Sequence, residues 1–142
     1  MRLKIALLGL TVAALVPFGP ASANLAELLG NWHNANASTR DIVRLEIMHA
    51  GGNIEVHAWG ACSPTPCDWG MVRAVPYAPN VSAPLPADAE FLQAEFKTNF
   101  SVVTLVIGPS PQPGGELRTV ALTRFTDNSG RSAYASIDMF KK

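Results

Sequence analysis

The chain has 142 residues, 11 basic and 11 acidic side chains, and two cysteines. That length sets a ceiling of one ordinary domain, and the balanced charge leaves no electrostatic footprint for nucleic acid. Beyond the N-terminus no apolar run approaches the roughly 20 residues that a membrane-spanning helix needs, so no span is expected in the mature chain.

Arg2 and Lys4 open the chain, followed by an apolar run from Ile5 to Val16, the breaker Pro17-Phe18-Gly19-Pro20 and the small residues Ala21-Ser22-Ala23. These are the parts of a secretory signal peptide in their usual order. A membrane anchor fits worse, because a dozen helical residues reach only about 18 Å into a hydrocarbon core about 30 Å thick. Cleavage after Ala23 leaves residues 24–142 as a single domain with nine basic and 11 acidic side chains. No cysteine lies near that site to carry a lipid, so the mature protein is expected to be secreted or periplasmic.

Little of the remainder reads as helix beyond single turns at Asn24–Leu29 and Ala83–Glu90. Period-two alternation predicts strands at 30–33, 41–49, 54–60, 69–75, 91–97, 101–107, 116–125 and 132–140. Gly, Pro and Asn clusters separate them, and the proline-rich stretch from Pro76 to Pro86 predicts an irregular crossing between two halves of one barrel. Short strands at this spacing form a meander that closes into a barrel or folds into a sandwich. Asp127-Asn128-Ser129-Gly130 reads as a strand-joining turn, since the bidentate glutamate of a calcium loop is missing.

The second and third strands can be placed in register. Gly51-Gly52 supplies a two-residue turn, which pairs Leu45 with Ala58 and Ile47 with Val56 on an apolar face. On the other face Arg44 meets Trp59, Glu46 meets His57 and Met48 meets Glu55. A cation opposite an indole and opposite charges across a ladder each stabilise by about 0.2–1 kcal/mol.

Cys62 and Cys67 stand in the segment His57-Ala-Trp-Gly-Ala-Cys-Ser-Pro-Thr-Pro-Cys-Asp-Trp-Gly70. In a secreted chain two cysteines most simply form one disulfide. A metal site would need both thiolates plus two of His33, His49, His57 or Asp68, and no second cysteine pair follows. If Cys62 faces Cys67, then Trp69 lands over Gly60 inside the sheet, and Trp59 lands over Gly70 outside it. Trp59, His57, Arg44 and Glu46 then share a polar face, read either as a stapled hairpin tip or as a ligand or partner surface.

Gly30-Asn31-Trp32 puts a Gly-x-Trp in the first of about eight strands, which resembles the calycins: lipocalins, avidins and fatty-acid-binding proteins. In that family the tryptophan closes one end of the barrel, often beneath an arginine from a late strand. The resemblance therefore implies barrel-closing roles for Trp32 and Arg124. Trp32, Asn34 and Ser38-Thr39 are also similar to the opening strand of avidins, where the matching asparagine and serine bond the biotin ureido oxygen. No tryptophan follows Trp69, so the indoles lining the far side of a biotin site have no counterpart. The disulfide segment resembles that of uncharacterised bacterial secreted proteins. Size, compartment and Gly-x-Trp also resemble periplasmic inhibitors of secreted metalloproteases, whose inserted N-terminal strand would correspond to Asn24–Leu28.

No G-x-S-x-G, H-E-x-x-H or glycine-rich phosphate loop is present, and no nucleophile–base pair stands out. The expected molecule is an all-β, calycin-like barrel of about eight antiparallel strands that binds and does not transform, with no cofactor or metal. Its partner is expected to be a small apolar or amphipathic molecule, or a protein; the alternative is protease inhibition. Val43, Leu45, Ile47, Val56, Trp69, Leu105 and Phe125 are expected to point inward. A cavity of roughly several hundred Å3 would favour a small ligand, whereas a filled interior with an exposed N-terminal strand would favour an inhibitor.

Overall fold

The computed structural model describes residues 23–142; the expected signal peptide up to Ser22 lies outside the described residues. A one-turn helix α1 (Leu25–Leu28) precedes eight strands: β1 (Gly30–Asn34), β2 (Ile42–Ala50), β3 (Asn53–Gly60), β4 (Cys67–Tyr77), β5 (Phe91–Lys97), β6 (Ser101–Pro109), β7 (Leu117–Phe125) and β8 (Tyr134–Lys141). They close in sequence order into an antiparallel barrel. The alternation is clearest in β3, which switches strictly between half-buried and buried side chains.

The β2–β3 register is the one the alternation dictates: Leu45 faces Ala58, Glu46 faces His57, and Ala50 faces Asn53 across the turn. Gly51 and Gly52 both take positive φ, 57° and 79°, as a two-residue hairpin turn of this hand requires. Leu45, Ile47, Val56 and Leu105 are fully buried, as expected. Val43 is not. A bulge between Ile42 and Arg44 turns Ile42 inward at 2% exposure and leaves Val43 half-buried, because the extra residue shifts the alternation by one place.

β4 runs farther than expected, through Pro76 to Tyr77. Its pairing with β3 ends at Ala74, and only Val75 to Tyr77 pair with β5. Pro76 is thus tolerated where one side of the strand has no ladder to lose. The crossing that follows carries several turns, among them one closed by Asp88 N–H donating to the Pro84 carbonyl at 3.0 Å, and it packs Ala89 into the core.

One end of the barrel is sealed. Trp32 is 1% exposed and its Nε1 donates to the Leu28 carbonyl at 2.9 Å. Leu25 and Leu28 of α1 are buried beside it, and Leu25 N–H donates to the Ala87 carbonyl at 3.1 Å. The segment Asn24–Leu28 is therefore a docked plug and not an exposed strand.

Arg124 does not close this end. It is exposed on the outer face of β7 opposite Val102, seven residues from Leu117 and so about 23 Å along the strand. The cation over Trp32 is Lys142, whose Nζ stands 4.8 Å from the ring centroid. Asn34 likewise presents no free amide to a ligand: its Nδ2 donates to the Ile42 carbonyl at 2.8 Å and to Asp138 at 2.9 Å, tying β1 to its neighbours.

Candidate functional site

Cys62 and Cys67 form a disulfide, so neither thiolate is left for a metal. The ladder register differs from the expectation, because Cys67 and not Trp69 faces Gly60, and Cys62, which bridges to it, lies outside the ladder. A second bulge between His57 and Trp59, with Gly70 at φ 81°, absorbs the offset. Trp69 still reaches its predicted place: a Cβ on Gly60 would sit 2.5 Å from the indole Nε1. The ring packs edge-on to Phe96 and against the buried core.

Trp59 does not cover Gly70, around which no atom lies within 4 Å of a built Cβ. It stacks instead on His57, 3.7 Å between centroids, with the Arg44 guanidinium 3.8 Å from its ring centroid. His57 Nε2 meets the Asp68 carboxylate at 2.5 Å, and Gly70 N–H donates to the same oxygen at 2.7 Å. The His57 bond and then the Gly70 N–H hold the Asp68 carboxyl below the usual range. The outer face therefore unites Arg44, His57 and Trp59 and adds Asp68. Glu46 faces His57 in the ladder but forms no ion pair among the described residues. Every ring in this cluster is engaged by a neighbour within the hairpin, which is the arrangement of a brace.

The concave feature lies inside the hairpin, at the barrel end opposite Trp32. There a cavity of about 350 Å3 is walled by Trp69, Val103, Ala121 and Phe125, with the disulfide, Phe100 and Tyr134 around its mouth. Its polar lining includes Asp41, Asp68 and Arg40, with the hydroxyls of Ser101, Thr123, Tyr134 and Ser136. Thr123 points inward from β7 at 8% exposure, in register with the buried Ala121 and Thr119. Burial, and next the charge of Asp138, push the Asp41 carboxyl above its usual range, while the hydroxyls of Ser136 and Tyr134 pull it back. A larger hollow of about 440 Å3 at the other end lies outside the Trp32 plug, beneath the 110–116 loop.

No family model, curated protein or solved structure matches this chain. The geometry alone must carry the functional argument.

Sequence reasoning placed Trp69 and Phe125 in this wall but did not single out Asp41 or Thr123. The available signal was the run Thr119-Val-Ala-Leu-Thr123, whose inward positions are small or hydroxylic while Leu122 points out. A strand that puts threonines on its core side leaves both space and hydrogen-bonding capacity there.

Because the disulfide closes a loop of only about six residues, its reduction should cost about 2 kcal/mol on the loop-entropy model. Loosening should be confined to the Ala61–Pro66 loop and the cavity mouth. Amide chemical shifts recorded with and without reductant check this; loss of the whole dispersed spectrum would show that the bridge holds the barrel itself.

Proposed function

We propose that the protein is a secreted or periplasmic, calycin-like binding protein that holds a small apolar or amphipathic molecule in the open end of its barrel. The observation that carries the reading is the cavity beside the disulfide. At about 350 Å3 it falls in the range of about 300–1,000 Å3 typical of small-molecule sites. Like such sites, it combines apolar and aromatic walls with a few convergent polar groups. The disulfide and the absence, among the described residues, of a helix able to cross a membrane are compatible with that location.

Protease inhibition through the N-terminus is the weaker reading. Inserting Asn24–Leu28 into a cleft would draw Leu25 and Leu28, 5% and 1% exposed, out of the core. It would also take the Leu28 carbonyl from Trp32.

A neutral apolar dye such as N-phenylnaphthylamine should gain fluorescence on entering the cavity. Ala121→Phe, which adds a ring to the wall, should remove that gain while circular dichroism and a cooperative thermal transition persist. Overpacking of this kind costs about 1–3 kcal/mol, which a folded barrel can withstand. No gain with the unmodified protein, or a gain unchanged by Ala121→Phe, would remove the cavity as the binding site.

A further inference from the structure

The cavity is not electrically neutral in its chemistry. Asp41, the residue before β2, lines it, and Asp138 on β8 stands close enough to raise its affinity for a proton. Neither carboxylate is ion-paired among the described residues. Asp138 instead accepts a hydrogen bond from Asn34. Of the two nearby cations, Arg40 is exposed at the mouth. Arg131 is held by Asp127 at 2.6 Å, by Ser129 at 2.8 Å and over the Phe125 ring at 3.8 Å. Aromatic side chains and the Thr123 hydroxyl share the cavity lining with Asp41.

Each class of ligand meets this lining differently. An anion would face the Asp41 and Asp68 carboxylates, both of which line the cavity. A neutral molecule can lie against the apolar walls, but it adds to the desolvation of Asp41 and returns at most a neutral hydrogen bond for it. A protonated amine supplies both an opposite charge and hydrogen-bond donors to the carboxylate, and a ring face such as that of Trp69 attracts cations. We propose that the ligand of this cavity is a primary amine on a small apolar, aromatic-sized body, with the ammonium received at Asp41 and the body lying against Trp69 and Phe125. This rests on reading the cavity as the ligand site.

The protonation of Asp41 supplies a second handle. Its carboxyl in the fold is raised by burial first and Asp138 second, and lowered by Ser136 and Tyr134. A raised folded value means that the stability due to its protonated form is present below the unfolded range. That stability is lost as pH rises through the folded value. An ammonium ligand prefers the ionised form, so its binding strengthens over the same rise. The groups around Asp41 are Asp138, Ser136 and Tyr134 from β8, Asp68 of β4 across the cavity, and Arg40 beside it in the chain.

Three isosteres decide the matter: phenethylamine, phenethyl alcohol and phenylacetate, titrated against the mature protein and followed by the indole N–H resonance of Trp69. The amine should bind at least about ten-fold more tightly than the alcohol, the scale of one charge-assisted hydrogen bond, with the carboxylate weakest. Asp41→Asn should bring amine and alcohol to within about three-fold of each other, chiefly by weakening the amine. With the unmodified protein, the preference for the amine should collapse on acidification through the Asp41 range, a readout that needs no variant to fold. Equal binding of alcohol and amine, or an amine preference that survives both Asp41→Asn and acidification, would overturn the amine proposal and leave the cavity reading standing. Binding of none of the three would overturn both.

Discussion

Replacing Trp32 by alanine should destabilise the protein by about 3–5 kcal/mol, the range for truncating a large buried aromatic side chain. The ring is the largest fully buried side chain in the barrel, at 1% exposure, and seals one end of it. Its loss also strands the Leu28 carbonyl, which accepts the Nε1 hydrogen bond, and unseats the two buried leucines of α1. A domain of this size commonly holds only about 5–15 kcal/mol in total, so the variant should be near its unfolding threshold at moderate temperature. Trp32→Phe keeps most of the volume and forfeits chiefly the hydrogen bond, for a loss of about 1–2 kcal/mol. Chemical denaturation of both variants checks this. A loss below that of Trp32→Phe for the alanine variant would mean that the plug closes without its indole.

The other two tryptophans should separate in a different way. Trp69 is half-buried against Phe96, Gly60 and the core, so Trp69→Ala should cost about 2–3 kcal/mol, below the range for a fully enclosed ring. It also removes a wall of the cavity, and dye or amine binding should fall with it. Trp59 lies outside, stacked on His57 and under Arg44. Trp59→Ala should cost about 1 kcal/mol, the scale of an exposed cation–π or cross-strand pair, and leave cavity binding intact. Equal losses in stability for the two would mean that the outer cluster is as strongly braced as the inner one. Loss of binding in Trp59→Ala would move the ligand to the outer face.

How far the sequence specifies this molecule depends on whether its period-two pattern is interrupted. Between Arg44 and Glu55 nothing interrupts it, and Gly51-Gly52 pins the turn, so the β2–β3 register follows from counting. At Val43 and at Trp69-Gly70 the chain carries a bulge, which adds one residue without any mark in hydrophobic alternation. Val43 consequently leaves the interior, and Gly60 meets Cys67 in place of Trp69. The Trp69 ring nevertheless reaches Gly60, because an indole spans more than one step of the ladder. Arg124 and Lys142 show a different failure. The resemblance called for a late-strand cation over Trp32, but only the three-dimensional path brings the chain end back to that ring. The cavity was least legible of all, since an empty volume depends on the summed sizes of side chains from five strands. Asp41 and Thr123 become meaningful only once that space exists between them.

The closure of the barrel has a mechanical consequence. β1 meets β8 through two residue pairs only, His33 with Lys141 and Asn34 with Phe140, followed by the Ala35 N–H bond to the Met139 carbonyl. β6 and β7, by contrast, are matched over nine consecutive pairs. The molecule is thus less a uniform cylinder than a broad ribbon fastened by a short clasp. Above the clasp, the first half of β8 has β7 on one side and no strand on the other among the described residues. Tyr134 and Ser136, which line the cavity, belong to that half. Local opening follows the path that breaks fewest ladder bonds, so the wall yields along β8 and β1 while β5 to β7 hold their shape. The flexible side of the barrel and the mouth of its cavity are the same place.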